Sequence, residues 1–186
     1  DVSLSEKVAV DIGASTGGFT DCLLQHGIEK VFAVDVGYGQ LDWKLQSDSR
    51  VVSLDRKNAR ELNSSDINEL VDLVVIDVSF ISLKIIIPSA INVLKPVGDL
   101  IALVKPQFEV GKEKVENKGI IKDPKKHLGV LIELNSFMKK LGWPITEIAT
   151  SPITGQKGNR EFLIHCLRKE NSRIIEDDHI RNMINT

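Results

Sequence analysis

The sequence predicts an α/β protein with a seven-stranded, mostly parallel sheet, an antiparallel last strand and helices on both faces. Three observations carry this prediction. Short apolar runs alternate along the chain with segments of helical periodicity. The first apolar run, at residues 8–12, passes through a glycine-rich turn directly into a helix. The last two runs lie too close together for a helical crossover, so they must pair antiparallel.

The first strand, turn and helix form the most informative stretch of the chain. Asp11 lies near the end of the apolar run, and three glycines follow within seven residues. Such a turn places backbone N–H groups and the positive end of a helix beside a ligand that approaches closely. The candidate ligand-binding residues of this stretch are Asp11, Gly13, Ala14, Ser15, Gly17, Gly18 and Phe19.

The turn departs from the G-x-G-x-x-G pattern of dinucleotide-binding proteins. Ser15 stands where the second glycine, which lets the backbone approach a pyrophosphate, would be. Asp11 adds negative charge near any phosphate, whereas it can accept a hydrogen bond from a cationic amino group. The turn therefore favours a ligand with an amino acid end, S-adenosylmethionine, over a nicotinamide dinucleotide. The alternative is that the glycines only make a tight connection between strand and helix.

Length and composition narrow the class of protein. A chain of 186 residues fits one α/β domain and leaves little room for a second. No apolar run approaches the roughly 20 residues that span a bilayer, so no membrane partner is expected. The two cysteines, Cys22 and Cys166, are expected to be reduced core thiols, which favours the cytoplasm. No cluster of cysteine and histidine has metal-ligand spacing, so no metal is expected.

Charge is unevenly distributed along the chain. The net charge of −2 argues against strong non-specific binding of nucleic acid. However, residues 1–80 carry 7 Lys and Arg against 14 Asp and Glu, whereas residues 81–186 carry 17 against 12. One segment of the second half is either a solvated loop or a surface that contacts phosphates beside the site. Its lysines are Lys105, Lys112, Lys114, Lys118, Lys122, Lys125 and Lys126, and its acidic residues are Glu109, Glu113, Glu116 and Asp123.

The second and third strands each end in an acidic residue. Residues 31–34 precede Asp35, which is placed to bind both ribose hydroxyls of an adenosine. Residues 51–54 precede Asp55, which either accepts from an adenine amino group or caps the next turn. The candidate cofactor-binding residues of this region are Asp35, Val36, Asp55 and Arg56.

The fourth and fifth strands end in residues suited to catalysis. Residues 69–76 are predicted to form the fourth strand, which stops at Asp77. A carboxylate at the end of a buried strand costs free energy unless it is paired. Residues 99–104 are predicted to form the fifth strand, and the proline that follows Lys105 holds this lysine extended.

The segments around these strands have clearer helical and loop signals. Residues 82–94 are predicted to be helical, and residues 95–98 end that helix. Residues 107–122 have little apolar periodicity and are predicted to form a long loop. Asp123 is the expected N-cap of a helix that runs from residue 124 to residue 142.

The predicted hairpin completes a candidate catalytic group. Its strands are residues 145–150 and 161–167. If the first of them runs parallel to strands four and five, Asp77, Lys105 and Glu161 share one edge of the sheet with the glycine turn. A lysine between two carboxylates can deprotonate or orient a hydroxyl that attacks a methyl sulfonium. The alternative is a rim of salt bridges.

Five motifs, taken in order, resemble one family of enzymes. They are DIGASTGGFTDCLL, the acidic Asp35, IDVSFISL, LVKPQFE and the GNREFL strand. From about residue 8 to residue 168, the chain is similar to the hemolysin-A-like (TlyA) branch of the FtsJ-type ribosomal RNA 2′-O-methyltransferases. The resemblance implies a Rossmann-like class I methyltransferase domain at residues 1–168 that binds S-adenosylmethionine. Residues 169–186 would be a charged tail that either packs as a helix or contacts a partner.

The resemblance also implies a reaction and its catalytic residues. The reaction is methylation of ribose 2′-hydroxyls, with ribosomal RNA or ribosomal subunits as partners. The family's catalytic set is Lys-Asp-Lys-Glu, and its last three members match Asp77, Lys105 and Glu161. Its first lysine lies upstream of strand one, after an S4-type RNA-binding domain. Lys7 lies at the start of that strand and is left unassigned, so the module and its lysine are expected to be missing from this fragment.

Other functions remain open on the sequence alone. A base N-methyltransferase usually carries Asn/Asp-Pro-Pro-aromatic where this chain has Asp77-Val78-Ser79-Phe80, so the absent prolines count against that activity. A non-catalytic remnant that binds cofactor and RNA is the alternative if the upstream lysine is indispensable. A cytolysin is suggested by the family's name, but no amphipathic or spanning stretch supports it.

Overall fold

The computed structural model describes residues 2–111, 119–168 and 174–185. Within these residues the strands form one seven-stranded sheet, as predicted. They are β1 (Val8–Ile12), β2 (Lys30–Val34), β3 (Val51–Leu54), β4 (Val71–Ile76), β5 (Leu94–Val104), β6 (Ile145–Thr150) and β7 (Phe162–Leu167). The helices are α1 (Gly18–Gln25), α2 (Trp43–Gln46), α3 (Ser64–Ile67), α4 (Leu83–Asn92), α5 (Pro106–Glu109), α6 (Pro124–Lys140) and α7 (Asp177–Asn185). The strand order is β3-β2-β1-β4-β5-β7-β6.

Residue contacts divide the chain into two compact units. The first unit comprises Asp1–Val78 and Ile85–Ile101, and the second comprises Ser79–Lys84 and Ala102–Thr186. In the first unit, β1 pairs in parallel with both β2 and β4, and β2 pairs in parallel with β3. The strands of this unit are mostly apolar because parallel strands are covered on both faces. Its core cluster consists of Ala9, Leu23, Leu24, Ile28, Val31, Leu73 and Val75.

The second unit is built on the predicted hairpin and two helices. β6 and β7 pair antiparallel, with Thr150 opposite Phe162, which confirms the prediction made from the short connection. Asp123 caps α6 as expected, since its side chain accepts a hydrogen bond from the backbone N–H of Lys125. Helix α7 lies in the predicted tail. Its buried residues include Ile180, and the nearby Ile175 is also buried.

The structure corrects the predicted start of the fifth strand. β5 begins at Leu94, so residues 95–98 belong to the strand instead of ending the preceding helix. Lys95 Nζ forms an ion pair with Asp72 Oδ1 at 2.7 Å. A Cβ on Gly98 would lie 3.0 Å from Asp72 O, so the chain passes close to its neighbour there. These tertiary contacts override the loop preference of Pro96 and Gly98.

Two further predictions need correction. Residues 106–109 form α5, a helical turn with Pro106 at its start, although residues from 107 onward were expected to be loop. Cys22 is exposed on α1 and only Cys166 is a buried thiol, so one of the two expected core thiols is not in the core. Part of the proposed phosphate-contacting surface lies outside the described residues, as does the start of the tail. Those positions are Lys112, Glu113, Lys114, Glu116, Lys118 and residues 169–173.

Candidate active site

Four aspartates mark the carboxyl ends of four adjacent parallel strands in the first unit. Asp11 lies within β1, and Asp35, Asp55 and Asp77 directly follow β2, β3 and β4. Because these strands are parallel neighbours, the four residues lie along one edge, where α/β sheets bind ligands. The first unit thus brings together the acidic cofactor-binding residues that the sequence predicted.

The glycine turn is shaped by two positions that exclude any side chain. Gly13 has φ +84°, and a Cβ there would overlap Asp77 O. Gly17 has φ +104°, and a Cβ there would overlap the side chain of Leu45. In contrast, a Cβ on Gly18 would meet no atom within 4 Å. The turn is therefore tightly packed at Gly13 and Gly17, whereas the space next to Gly18, the first residue of α1, is open. This open space can hold a ligand.

Asp11 is a buried carboxyl group whose pKa is raised. Asp11 is 1% exposed, and its Oδ2 accepts hydrogen bonds from Thr20 N at 2.9 Å and Thr20 Oγ1 at 2.7 Å. Oδ1 has no hydrogen-bond partner among the residues that the structure describes. Burial raises the pKa of Asp11 to about 6 and the charges of Asp77 and Asp35 add to this, although the bonds from Thr20 oppose the rise. A buried oxygen without a partner fits a cationic ligand group.

Asp35 has a role that the sequence did not reveal. Its Oδ2 accepts a hydrogen bond from Ser15 N at 2.9 Å, and its Oδ1 accepts one from Gly37 N at 2.7 Å. This carboxylate therefore ties the glycine turn to the loop after β2. Each carboxylate oxygen can accept a second hydrogen bond, so binding of ribose hydroxyls is compatible with these contacts.

The loops after β2 and β3 form an open surface next to Asp35. Asp55 Oδ2 accepts a hydrogen bond from Gly39 N at 3.1 Å, so Asp55 joins the end of β3 to the loop after β2. The guanidinium carbon of Arg56 lies 4.4 Å from the ring centre of Tyr38. Val36 is 76% exposed. Exposed apolar and aromatic side chains of this kind are suited to pack against the faces of an adenine ring.

The remaining residues of the predicted turn contribute to packing. Ala14 is buried and belongs to a small apolar cluster with Ala33 and Leu41. Phe19 is half-buried and packs against the core cluster of the first unit.

Lys7 was left unassigned on sequence grounds. It forms an ion pair with Asp99 at 3.1 Å, at the opposite end of β1 from the aspartate edge. This contact gives Lys7 a structural role.

In the second unit, Lys105 lies beside a hydroxyl group. Lys105 has φ −110° and ψ 97°, and Pro106 follows it at the start of α5, so it is extended as predicted. Its Nζ donates a hydrogen bond to Ser79 Oγ at 3.1 Å. Ser79 was not among the predicted site residues, although its place two residues after Asp77 was a usable signal.

Glu161, the other predicted catalytic residue of the second unit, is 6% exposed and directly precedes β7. Its backbone carbonyl accepts a hydrogen bond from Ser151 N at 2.9 Å, which closes the base of the hairpin loop. Asp77, in the first unit, is half-buried, and its N–H donates to Ile12 O at 2.9 Å. Each of the three predicted catalytic residues thus adjoins a strand end.

An aromatic pair, the exposed Phe80 and the half-buried Phe108, adjoins Ser79. Phe80 is 88% exposed and has φ +65°, a conformation that is strained for a bulky side chain. Its ring centre lies 4.9 Å from that of Phe108. Such strain costs on the order of 1–3 kcal/mol and typically occurs at functional positions. Sequence reasoning missed this pair because neither residue lies in a periodic pattern.

Comparisons with known proteins place these features in context. The model of the FtsJ-like methyltransferase family matches residues 2–168. A Bacillus subtilis protein provisionally named as the rRNA methyltransferase YqxC is 50% identical over 165 residues, which are 88% of this chain and 59% of that protein. TlyA from Mycobacterium tuberculosis, a 16S/23S rRNA (cytidine-2′-O)-methyltransferase, is 42% identical over 174 residues, which are 94% of this chain and 65% of TlyA.

A solved structure is also similar to this chain over almost its whole length. A Lactococcus lactis protein provisionally named a hemolysin superposes with a TM-score of 0.92 at 41% identity, over 99% of this chain and 88% of that one. The chain therefore spans only 59% and 65% of the length of the two curated relatives, but most of the length of this structural neighbour.

Proposed function

Because this chain belongs to the FtsJ-like methyltransferase family, we propose that it transfers a methyl group from S-adenosylmethionine to a ribose 2′-hydroxyl of ribosomal RNA. The observation that carries the proposal is the extent of the family match, which includes the aspartate edge of the first unit together with Lys105 and Glu161 of the second. A TlyA relative named for this reaction aligns with 94% of the chain. With ribosomal RNA as substrate, the protein would act in the cytoplasm.

S-adenosylmethionine is the cofactor of this family, and the first unit has groups that fit it. The cofactor supplies a methyl group activated on a cationic sulfonium and carries an ammonium group at its amino acid end. The aspartate edge provides the opposite charge, and the Asp11 Oδ1 atom has no other partner in the described residues. A pyrophosphate would be repelled there. We expect Asp11 to contact the ammonium group and Asp35 to bind the ribose hydroxyls. The rest of the amino acid end would occupy the open space next to Gly18.

The catalytic roles follow from the chemistry of the residue types. When bound, S-adenosylmethionine would supply the activated methyl group, and Lys105 Nζ would orient the attacking 2′-hydroxyl or take its proton. Glu161, which belongs to the same unit as Lys105, would orient this amine, and correct positioning supplies much of the acceleration. Asp77 is proposed as a member of the catalytic set on the resemblance alone. The hydrogen bond from Lys105 Nζ to Ser79 Oγ restricts the rotamers that the lysine can adopt.

The exposed Phe80, together with its neighbour Phe108, supports RNA as the methyl acceptor. Proteins that recognise single-stranded RNA commonly stack its bases on aromatic side chains. Phe80 lies one residue from Ser79 and is held on the surface by Phe108. We propose that it stacks on the base of the target nucleotide. Lys122 and Lys125, which are exposed, are candidate phosphate contacts.

The proposal is tested by mapping the methylated atom. The protein is incubated with unmodified ribosomal subunits and labelled S-adenosylmethionine, and the RNA is then digested to nucleosides. Label on the ribose of defined nucleotides supports the proposal, and the Lys105→Ala protein is the negative control. Label on a base would instead identify an N-methyltransferase, and bound cofactor without transfer would identify a binding-only protein. Leakage from liposomes would support the hemolysin interpretation.

A further inference from the structure

The loop between β6 and β7 contains a glycine whose role follows from the position of Glu161, so this inference rests on the proposed function. We propose that Gly155 is a positioning residue. Its bare α-carbon forms the surface against which the Glu161 carboxylate packs, and the absence of a side chain there determines where that carboxylate lies.

The backbone at this position does not require glycine. Gly155 has φ −68° and ψ 179°, an extended conformation that any residue adopts. The space next to its α-carbon is instead occupied by the Glu161 carboxylate. A Cβ on Gly155 would overlap Glu161 Oε1 and would lie 2.5 Å from Glu161 Cδ. Since non-bonded contacts of a Cβ below 3.0 Å essentially do not occur, an alanine here must displace the carboxylate. Gly155 is therefore explained by its contact with Glu161.

Asn159 holds this glycine in place. It is 3% exposed, and its backbone carbonyl accepts a hydrogen bond from Gly155 N at 2.8 Å. Its side chain bridges the segment before α6, because Oδ1 accepts from Ile121 N at 2.9 Å and Nδ2 donates to Gly119 O at 3.0 Å. Both ends of the amide are used. The loop is thus anchored through Asn159, which limits how far Gly155 can move when the carboxylate presses against it.

The Glu161 carboxylate is in turn confined. The residue is 6% exposed, so a displaced carboxylate must move within a packed environment. A catalytic group misplaced by about 1 Å can lose roughly 100-fold in rate, since transfer depends on alignment of the reacting atoms. The added methyl group at position 155 should therefore impair transfer by displacing the Glu161 carboxylate.

The test compares Gly155→Ala with Gly129→Ala. Gly129 lies in α6, and a Cβ there meets no atom within 4 Å, so it receives the same chemical change without a contact. We expect Gly155→Ala to lower the transfer rate at saturating cofactor by about 10- to 100-fold, with the cofactor Kd within about twofold of the unchanged protein. Gly129→Ala should keep the full rate. A full rate in Gly155→Ala would overturn the inference.

A double-mutant comparison separates positioning from general damage. If Gly155 acts through Glu161, Gly155→Ala should have no further effect on the residual rate of a Glu161→Ala protein, which has neither the carboxylate nor the overlap. An equal loss in both backgrounds would refute the proposal. If Gly155→Ala lowers Tm, shortening the acid with Glu161→Asp should restore it by removing the overlap; continued instability would count against the contact. Failure of the unchanged protein to methylate RNA would refute the proposed function, whereas the Tm rescue tests the contact by itself.

Discussion

Replacing Asp11 with asparagine tests the electrostatics of the aspartate edge. Asp11 is buried, and its Oδ2 accepts two hydrogen bonds from Thr20, which an asparagine oxygen can also accept. The substitution removes the charge but keeps the shape and these two bonds. Burial and the neighbouring carboxylates raise the pKa of Asp11 from 3.8 to about 6, so the ionised form is disfavoured in the folded protein.

The direction of the effect follows from the two protonation states. A carboxyl group whose pKa is higher in the folded state stabilises the fold at low pH and loses this contribution as the pH rises through about 6. A rise from 3.8 to about 6 corresponds to about 3 kcal/mol in total, of which about 1.4 kcal/mol is lost between pH 5 and pH 8. The amide of the Asp11→Asn protein does not titrate in this range, so that variant lacks this contribution to the pH dependence.

The assay is chemical denaturation of both proteins at pH 5, 6, 7 and 8. The unfolding free energy of Asp11→Asn, relative to the unchanged protein, should increase by about 1.4 kcal/mol from pH 5 to pH 8. An Asp178→Asn protein is the control, because that side chain is 95% exposed on α7. If the difference between the Asp11→Asn and unchanged proteins stays constant across this range, Asp11 does not carry a perturbed charge and the argument fails.

Four further outcomes are expected. Lys105→Ala should abolish methyl transfer while the cofactor Kd measured by calorimetry stays nearly unchanged; parallel loss of both would remove Lys105 from the catalytic step. Asp35→Ala should weaken cofactor binding at least about tenfold, because it removes the predicted ribose contact and two backbone ties; an unchanged titration would exclude it from the site. Gly13→Ala should destabilise the fold by about 2 kcal/mol or more, since it combines positive φ with overlap on Asp77 O, whereas Gly18→Ala should leave Tm unchanged and weaken cofactor binding. Cofactor affinity should rise with pH through about 6, as Asp11 ionises; a flat profile by calorimetry would contradict its contact with the ammonium group.

Much of the fold was predictable because the signals are local. β1, β3 and β6 have the expected boundaries, since β1 and β3 are short, mostly apolar runs that end at turn residues or acids, and β6 is bounded by prolines. The antiparallel pairing of β6 and β7 followed from the length of their connection alone. The longer β5 was not predictable, because the ion pair of Lys95 with Asp72 joins residues that are distant in the sequence.

The candidate site likewise has some features that were predictable from the sequence and others that were not. The sequence alone determined which residue types stand at strand ends, and hence the acidic edge at Asp11, Asp35, Asp55 and Asp77, because parallel strands direct their carboxyl ends to one side. Only the tertiary structure decided that Asp11 is buried with one oxygen lacking a partner among the described residues, that Asp35 ties two loops together and that Gly155 faces Glu161. These properties depend on which groups meet in space, and burial, hydrogen bonding and steric exclusion are set by those neighbours.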